Sequence, residues 1–144
     1  MRDVYPVITV RDVLATLRFY TEVLGFEEWF RWGDDPARPL SAGLMHGQAR
    51  LICDAAPAGG LPARAGEGVE LYFDVGEMDI DGYYARVAGR GARIVEPPTD
   101  KPWGDRVFRV EDPDGYVLAF ARTLTSSGGE PPEGGNPGEE GAGS

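Results

Sequence analysis

The sequence is poor in the residues that build metal centres and disulfides. Its 144 residues include one cysteine, Cys53, and one histidine, His46. One cysteine cannot form an internal disulfide, and one cysteine with one histidine cannot build a Cys/His zinc site. We therefore expect neither a disulfide nor a zinc centre made of protein ligands alone.

Long apolar runs are also absent. No stretch approaches the roughly 18 apolar residues of a membrane-spanning helix. Residues 1–6, MRDVYP, lack the apolar stretch and the cleavage site of a signal peptide. The expectation is a soluble, cytoplasmic protein with no membrane partner.

Basic residues are outnumbered, because 14 Lys and Arg face 24 Asp and Glu, for a net charge of −10. This balance argues against nucleic acid as a partner, since neutralising phosphates requires a basic face. Part of the charge lies in residues 125–144, which hold four glutamates and no basic residue. Residues 124–144 are predicted to be a disordered, acidic, Gly/Pro-rich tail. The remaining 14 basic and 20 acidic residues leave about −6, which still favours cationic ligands.

The rest of the chain, residues 1–123, is predicted to be one folded domain, and its first half has the order βαβββ. A β-rich run at residues 4–10 contains Pro6, which suits an edge or exchanged strand because proline cannot donate to a ladder on both sides. Asp12 can cap a helix over residues 13–24. Three β-like stretches follow, at residues 26–32, 41–46 and 50–54.

The second half repeats this order. A strand at residues 69–75 leads into a helix over residues 80–88, and strand candidates follow at residues 93–96, 106–110 and 116–121. The last two are joined by the strong turn signal Asp-Pro-Asp-Gly. The chain is therefore predicted to be duplicated, as two βαβββ modules over about residues 1–55 and 68–123.

Two motifs resemble a known family. The first is VITVRD, followed by a helix that ends in FYTEVLGF; the second is KPWGDRVFRVEDPDGYVLAF, residues 101–120. With the duplicated plan, they resemble the vicinal oxygen chelate superfamily of glyoxalases, bleomycin resistance proteins and extradiol dioxygenases, and within it the bleomycin-resistance branch. The resemblance implies an α+β fold in which two βαβββ modules form a curled mixed sheet around a cleft. It also implies a domain-swapped or side-by-side homodimer.

The resemblance offers a way to separate metalloenzymes from binding proteins. Metal-dependent members place ligands at three positions, which here hold Tyr5, Glu70 and Ala119. Tyrosine, with an ordinary pKa near 10, is a poor ligand unless it is ionised, and alanine cannot ligate. Because a catalytic zinc takes about three protein ligands, these departures point to a member that binds its ligand without a metal or other cofactor.

Strand alternation assigns candidates on the second module. If Glu70 faces the cleft, so do Tyr72 and Asp74, while Leu71 and Phe73 pack beneath the sheet. The cleft side would then offer negative charge and an aromatic ring to a cationic or hydrogen-bonding ligand. The alternative is an ordinary solvated sheet face.

Aromatic residues form another group of candidates. Alternation puts Phe30 and Trp32 on one face of their strand and Trp29 on the other, and rings facing a cleft could stack on a planar ligand. The alternative for these rings is the core or a dimer interface. Trp103 lies in a loop before a strand, where the resemblance puts ligand-contacting residues; its alternative is loop packing.

His46, Cys53 and Arg106 are not accompanied in the sequence by the residues that would complete a catalytic site. His46 would be the obvious general base of an enzyme, but a turn or surface position is the simpler interpretation. Cys53 is expected to be a buried small hydrophobe. Arg106 is expected to pair with a carboxylate such as Asp105 or Glu111 rather than to contact ligand.

The resemblance implies a protein that binds and sequesters a small, planar, cationic organic molecule without altering it, as in resistance to bleomycin-type antibiotics, and the acidic composition is compatible with such a ligand. No catalytic residue, metal or cofactor is expected. The alternatives are a metal-dependent glyoxalase- or dioxygenase-type enzyme, with Glu70, His46 and Tyr5 holding a metal in a non-standard way, and a domain that serves only protein interaction. The predicted ligand-binding residues are Phe30, Trp32, Glu70, Tyr72, Asp74 and Trp103.

Overall fold

A computed structural model of the chain describes residues 1–124. The strands are β1 Val7–Val10, β2 Glu27–Trp32, β3 Ser41–His46, β4 Ala49–Ala55, β5 Glu70–Asp74, β6 Arg93–Asp100, β7 Asp105–Glu111 and β8 Val117–Thr123. Helix α1, Val13–Arg18, follows β1 and helix α2, Ile80–Gly89, follows β5. The predicted duplication of a βαβββ unit is therefore confirmed. The predicted tail, apart from Leu124, lies outside the described residues.

Both helices begin at an aspartate cap, which the sequence predicts for Asp12. The Asp12 carboxylate accepts a hydrogen bond of 3.1 Å from the Ala15 amide, and Asp79 accepts one of 3.1 Å from Gly82. These side chains satisfy amide groups that have no partner inside the helix. The α-helix predicted to run to residue 24 is interrupted, since a π-helical turn at Phe19–Val23 continues α1.

Each module folds into one mixed, four-stranded sheet. The strand orders are β1-β4-β3-β2 and β5-β8-β7-β6, so the two modules have the same topology. In both sheets the first strand of the module pairs in parallel with the last, and the other pairs are antiparallel. Strand β1 is an edge strand that begins directly after Pro6, as the proline predicts.

The two sheets share one core on the side that carries the helices. The core includes Leu44 and Leu51 of the first sheet and Phe108 and Phe120 of the second, all buried. Contacts between the modules lie on this side as well; the Tyr83 hydroxyl, for example, donates a 2.6 Å hydrogen bond to the Leu24 carbonyl. The opposite faces of both sheets lie outside this core, although on the second sheet Val107, Ala119 and Ala121 form a small buried cluster of their own.

Alternation and strand register assign the residues of these two surfaces. The first outer face belongs to the first sheet and carries Val7, Thr9, Phe30, Trp32, Ser41, Gly43, Met45, Arg50, Ile52 and Asp54. The second outer face belongs to the second sheet and carries Glu70, Tyr72, Asp74, Glu96, Val107, Arg109, Ala119 and Ala121. No helix among residues 1–124 is long and apolar enough to cross a bilayer.

Candidate functional site

A β-bulge in β2 brings two adjacent aromatic rings to the first outer face. The register with β3 shifts between Glu28 and Phe30. Both Trp29 and Phe30 lie over Gly43, since a Cβ built on that glycine would be 2.7 Å and 2.4 Å from their rings. The prediction that Trp29 faces the opposite side from Phe30 is therefore wrong, because a bulge inserts one residue into the strict alternation.

Further groups extend this aromatic surface. The Tyr5 ring meets the Trp29 ring edge-on at 5.3 Å, and the Arg50 guanidinium lies 5.4 Å from the Trp29 ring centroid. Trp32 keeps 64% of its surface exposed, beside an open groove of about 740 Å³ that Phe30 also lines. The first outer face thus offers several rings for contact with an apolar or planar partner.

The second outer face carries a chain of alternating charges. The Arg109 guanidinium donates hydrogen bonds to Glu70 and Glu96, and the Lys101 ammonium donates one of 2.6 Å to Glu96. The hydrogen bond from Lys101 is the main reason that the pKa of Glu96 lies below its usual range. Glu70 lies where alternation predicts, but its charge is compensated by Arg109. It is therefore a poor choice for meeting a ligand cation.

Beside these ion pairs, Trp103 and Tyr72 form an aromatic pair that is hydrogen-bonded to the Asp105 carboxylate. The Trp103 Nε1 donates a 3.1 Å hydrogen bond to the Tyr72 hydroxyl, which donates one of 2.8 Å to Asp105. Burial is the main factor that raises the pKa of Tyr72 to about 12, so the phenol stays protonated and can donate. No basic side chain within residues 1–124 pairs with Asp105.

Asp74 lies apart from this group, at the end of β5. Its carboxylate accepts a 2.9 Å hydrogen bond from the Gly76 amide, and the residue borders a pocket between the modules. The expected trio of Glu70, Tyr72 and Asp74 thus divides into three roles. Glu70 is held in an ion pair, Tyr72 supports Trp103, and Asp74 borders a different cavity.

The three positions at which the resemblance places metal ligands do not form a metal site here. Tyr5 packs edge-on against Trp29, Glu70 pairs with Arg109, and Ala119 has no ligating atom. Among residues 1–124 no three His, Cys, Asp or Glu side chains lie close enough together to hold a metal ion. The residues present therefore do not fit a resident metal.

The structure shows what surrounds Cys53, Arg106 and His46. Burial is the main cause that raises the pKa of the Cys53 thiol to about 12, which leaves it unreactive, as expected for a buried cysteine. Arg106 does pair with carboxylates, but its partners are Asp100 at 2.7 Å and Asp81 at 3.1 Å rather than the expected ones. His46 ends β3 and is half-buried.

Sequence reasoning missed Asp105 and Arg109 on the second outer face. Both could have been found by alternation, because residues 105, 107 and 109 share one side of β7. The roles of Tyr5 and Trp29 in the aromatic surface had no such signal. They depend on a bulge and on the fold of the N-terminal segment.

The two outer faces do not line one cleft within a single chain. The ion pairs, hydrogen bonds and ring contacts named above for the second outer face all join residues of the second module, and those of the first outer face stay within the first. The modules meet instead on the core side, as at Phe26 and Phe73, whose ring centroids are 5.6 Å apart. The chain thus presents two separate half-sites. One is the aromatic surface of the first outer face, and the other, the Trp103 half-site, consists of Trp103, Tyr72 and Asp105 on the second outer face.

Residues 4–120 match the family model of the glyoxalase/bleomycin resistance protein/dioxygenase superfamily. A search of curated proteins finds no match.

Solved structures show the same fold. TioX from Micromonospora sp. ML1 is 26% identical over 85% of this chain and 100% of its own, with a TM-score of 0.63. A glyoxalase/bleomycin resistance protein/dioxygenase from Alicyclobacillus acidocaldarius is 18% identical over 87% of this chain and 96% of its own, with a TM-score of 0.66. A protein of unknown function from Agrobacterium tumefaciens str. C58 is 24% identical over 86% of this chain and 95% of its own, with a TM-score of 0.68.

Proposed function

The chain belongs to the glyoxalase/bleomycin resistance protein/dioxygenase superfamily, and within it we propose that the protein binds and sequesters a planar, cationic organic molecule of the bleomycin type without altering it. The observation that carries this proposal is the hydrogen-bonded series Trp103–Tyr72–Asp105, in which exposed rings lie next to a carboxylate that has no basic partner among residues 1–124. Such a pairing of ring and charge suits a ligand with a flat aromatic part and a positive group.

Stacking supplies part of the binding energy. The Trp103 indole is 37% exposed and its orientation is held by the hydrogen bond to Tyr72, so little entropy is lost when a ring stacks on it. A stacked ring contributes about 1–3 kcal/mol, and a cation close to aromatic rings adds about 2 kcal/mol. Micromolar affinity requires about 8 kcal/mol, so the rest must come from apolar burial.

The first outer face of a second copy can supply that apolar surface. One chain carries its aromatic groove and its Trp103 half-site on separate faces, so a ligand enclosed on both sides needs two chains. We therefore propose a homodimer in which Phe30 and Trp32 of one copy cover the Trp103 half-site of the other. Each dimer would then hold two equivalent clefts.

Titration of the protein with bleomycin, followed by tryptophan fluorescence and calorimetry, tests the proposal. We expect micromolar binding and about a tenfold loss of affinity in Trp103→Ala, because one stacking contact is removed. Asp105→Asn keeps a hydrogen-bond acceptor for Tyr72 but removes the charge, so we expect a several-fold loss. Glu77→Gln makes the same charge change away from both outer faces and serves as the matched control.

Two results would contradict the proposal. Equal affinity in Trp103→Ala, Asp105→Asn and Glu77→Gln would show that the ligand does not bind at this half-site. A chemically altered ligand, detected by mass spectrometry after incubation, would show turnover rather than sequestration. Sequestration of such a ligand also requires the protein in the cytoplasm, where the sequence predicts it.

A further inference from the structure

A second pocket lies between the modules, on the core side of the sheets. It has a volume of about 270 Å³ and opens where the β3–β4 turn of the first module meets the end of β5 and the start of α2. Neither Trp103 nor Tyr72 lines it, and neither do the aromatic residues of β2. The pocket is therefore separate from the half-sites proposed above.

Four aromatic rings and one thioether group form one part of its wall. The four rings contact one another in a row: Phe26 meets Phe73 edge-on at 5.6 Å, Phe73 stacks on Phe120 at 5.2 Å, and Phe120 meets Tyr83 edge-on at 5.3 Å. Met78 adds a polarizable sulfur. These side chains come from both modules, so the wall exists only because the two sheets share a core. Its size suits a single ring, since a cavity of about 150 Å³ already holds benzene.

His46 adds a polar group to this wall. Its ring meets Phe26 edge-on at 5.3 Å and lies 6.5 Å from the Tyr83 ring, which fixes its orientation. Neither ring nitrogen makes a hydrogen bond to a residue in the described part of the chain. One donor and one acceptor are thus free for water or a ligand.

The charges at the pocket have one sign. Asp74, an exposed residue at the end of β5, borders the pocket; its carboxylate Oδ1 accepts a hydrogen bond from the Gly76 amide, and Oδ2 has no hydrogen-bond partner within the described residues. None of the lining residues is Lys or Arg; Arg86 lies 5.8 Å from the Tyr83 ring centroid but does not line the pocket. A cation is therefore favoured over an anion.

We propose that this pocket binds a small arylalkyl amine, in which a short alkyl link joins one aromatic ring to an ammonium group. The ring of the amine would pack among Phe26, Phe73 and Tyr83, and the ammonium group would lie at Asp74. His46 would accept a hydrogen bond from the same ammonium group. This site is independent of the sequestration site, because no residue is required by both.

Three probes of one size test the proposal: benzylamine, benzyl alcohol and benzoate, which are positive, neutral and negative at neutral pH. Binding is followed by the carbon-bound ring protons of His46, which are readily assigned because the chain has one histidine. We expect benzylamine to shift these resonances and to bind at least about tenfold more tightly than benzoate. In Asp74→Asn, which still accepts from the Gly76 amide, we expect benzylamine and benzyl alcohol to bind within about twofold of each other.

Specific outcomes would overturn this inference. If millimolar benzylamine leaves the His46 resonances unchanged, the pocket is not a site for this class. Benzoate binding as tightly as benzylamine would exclude a preference for cations. If Trp103→Ala abolishes the benzylamine response, the amine binds on the outer face instead. Retained benzylamine binding in a variant that loses bleomycin would support two separate sites.

Discussion

The Tyr20 hydroxyl donates a 2.9 Å hydrogen bond to the Asp112 carboxylate, and so joins the π-helical turn of the first module to the β7–β8 turn of the second. Both side chains are buried. The other Asp112 oxygen accepts hydrogen bonds from the amides of Asp114 and Tyr116, at 2.9 and 3.0 Å. One carboxylate thus organises a turn and locks the two modules together.

Removing the Tyr20 hydroxyl should destabilise the fold. Tyr20→Phe leaves one buried Asp112 oxygen without its donor, and an unsatisfied buried polar group costs about 1–3 kcal/mol. We expect the free energy of unfolding in urea to fall by that amount. Tyr84→Phe is the matched control, because the Tyr84 hydroxyl makes no hydrogen bond within the described residues, and it should change stability by less than about 0.5 kcal/mol. Equal effects of the two substitutions would contradict this role.

Asp112 should also give stability a specific pH dependence. Burial is the main cause that raises the pKa of Asp112 in the folded protein, so the native state binds this proton more tightly than the unfolded chain does. The resulting stabilisation is complete below the unfolded pKa of about 3.9 and is lost as pH rises through the raised folded pKa. The Asp112→Asn variant has no carboxyl group at this position, so its stability lacks this contribution to the pH dependence. We therefore expect the stability of the wild type relative to Asp112→Asn to fall as pH rises from about 3.5, whereas a constant difference would contradict the assignment.

Gly43 should be essential for the aromatic surface of the first outer face. A Cβ at this position would lie 2.4 Å from the Phe30 ring, so Gly43→Ala must displace Phe30 and Trp29. We expect weaker bleomycin binding, by about fivefold or more, and a changed tryptophan emission spectrum. Gly89→Ala, at the end of α2, is the control, because a Cβ there has no neighbour within 4 Å in the described part of the chain. Unchanged ligand affinity in Gly43→Ala would show that these rings do not contact the ligand.

The exposed apolar groups of the first outer face predict self-association. Val7 and Trp32 keep 55% and 64% of their surfaces exposed, which is costly for side chains of this type unless a partner covers them. Light scattering at tens of micromolar should give about twice the chain mass of 15.6 kDa. Trp32→Glu should shift the equilibrium towards monomer and weaken bleomycin binding. A monomeric wild type that still binds the ligand tightly would contradict the composite cleft.

Local sequence patterns were sufficient to predict the helices and strands of the fold. Asp12 marks the start of α1, Pro6 marks an edge strand, and the alternation of residues 70–74 assigns the two faces of β5, each confirmed by the structure. These features depend on side chains a few residues apart, so their periods of 2 and about 3.6 are visible in the sequence itself. The duplicated order of elements then identified the fold.

Only the tertiary structure decided how the candidate residues act. Glu70 pairs with Arg109, 39 residues away, and the Tyr72 hydroxyl donates to Asp105, 33 residues away. Such partners depend on strand register, and a single bulge in β2 reverses the face expected for Trp29. The common core that turns the two half-sites outward and encloses the pocket at His46 likewise arises from packing between distant segments, which no local pattern encodes.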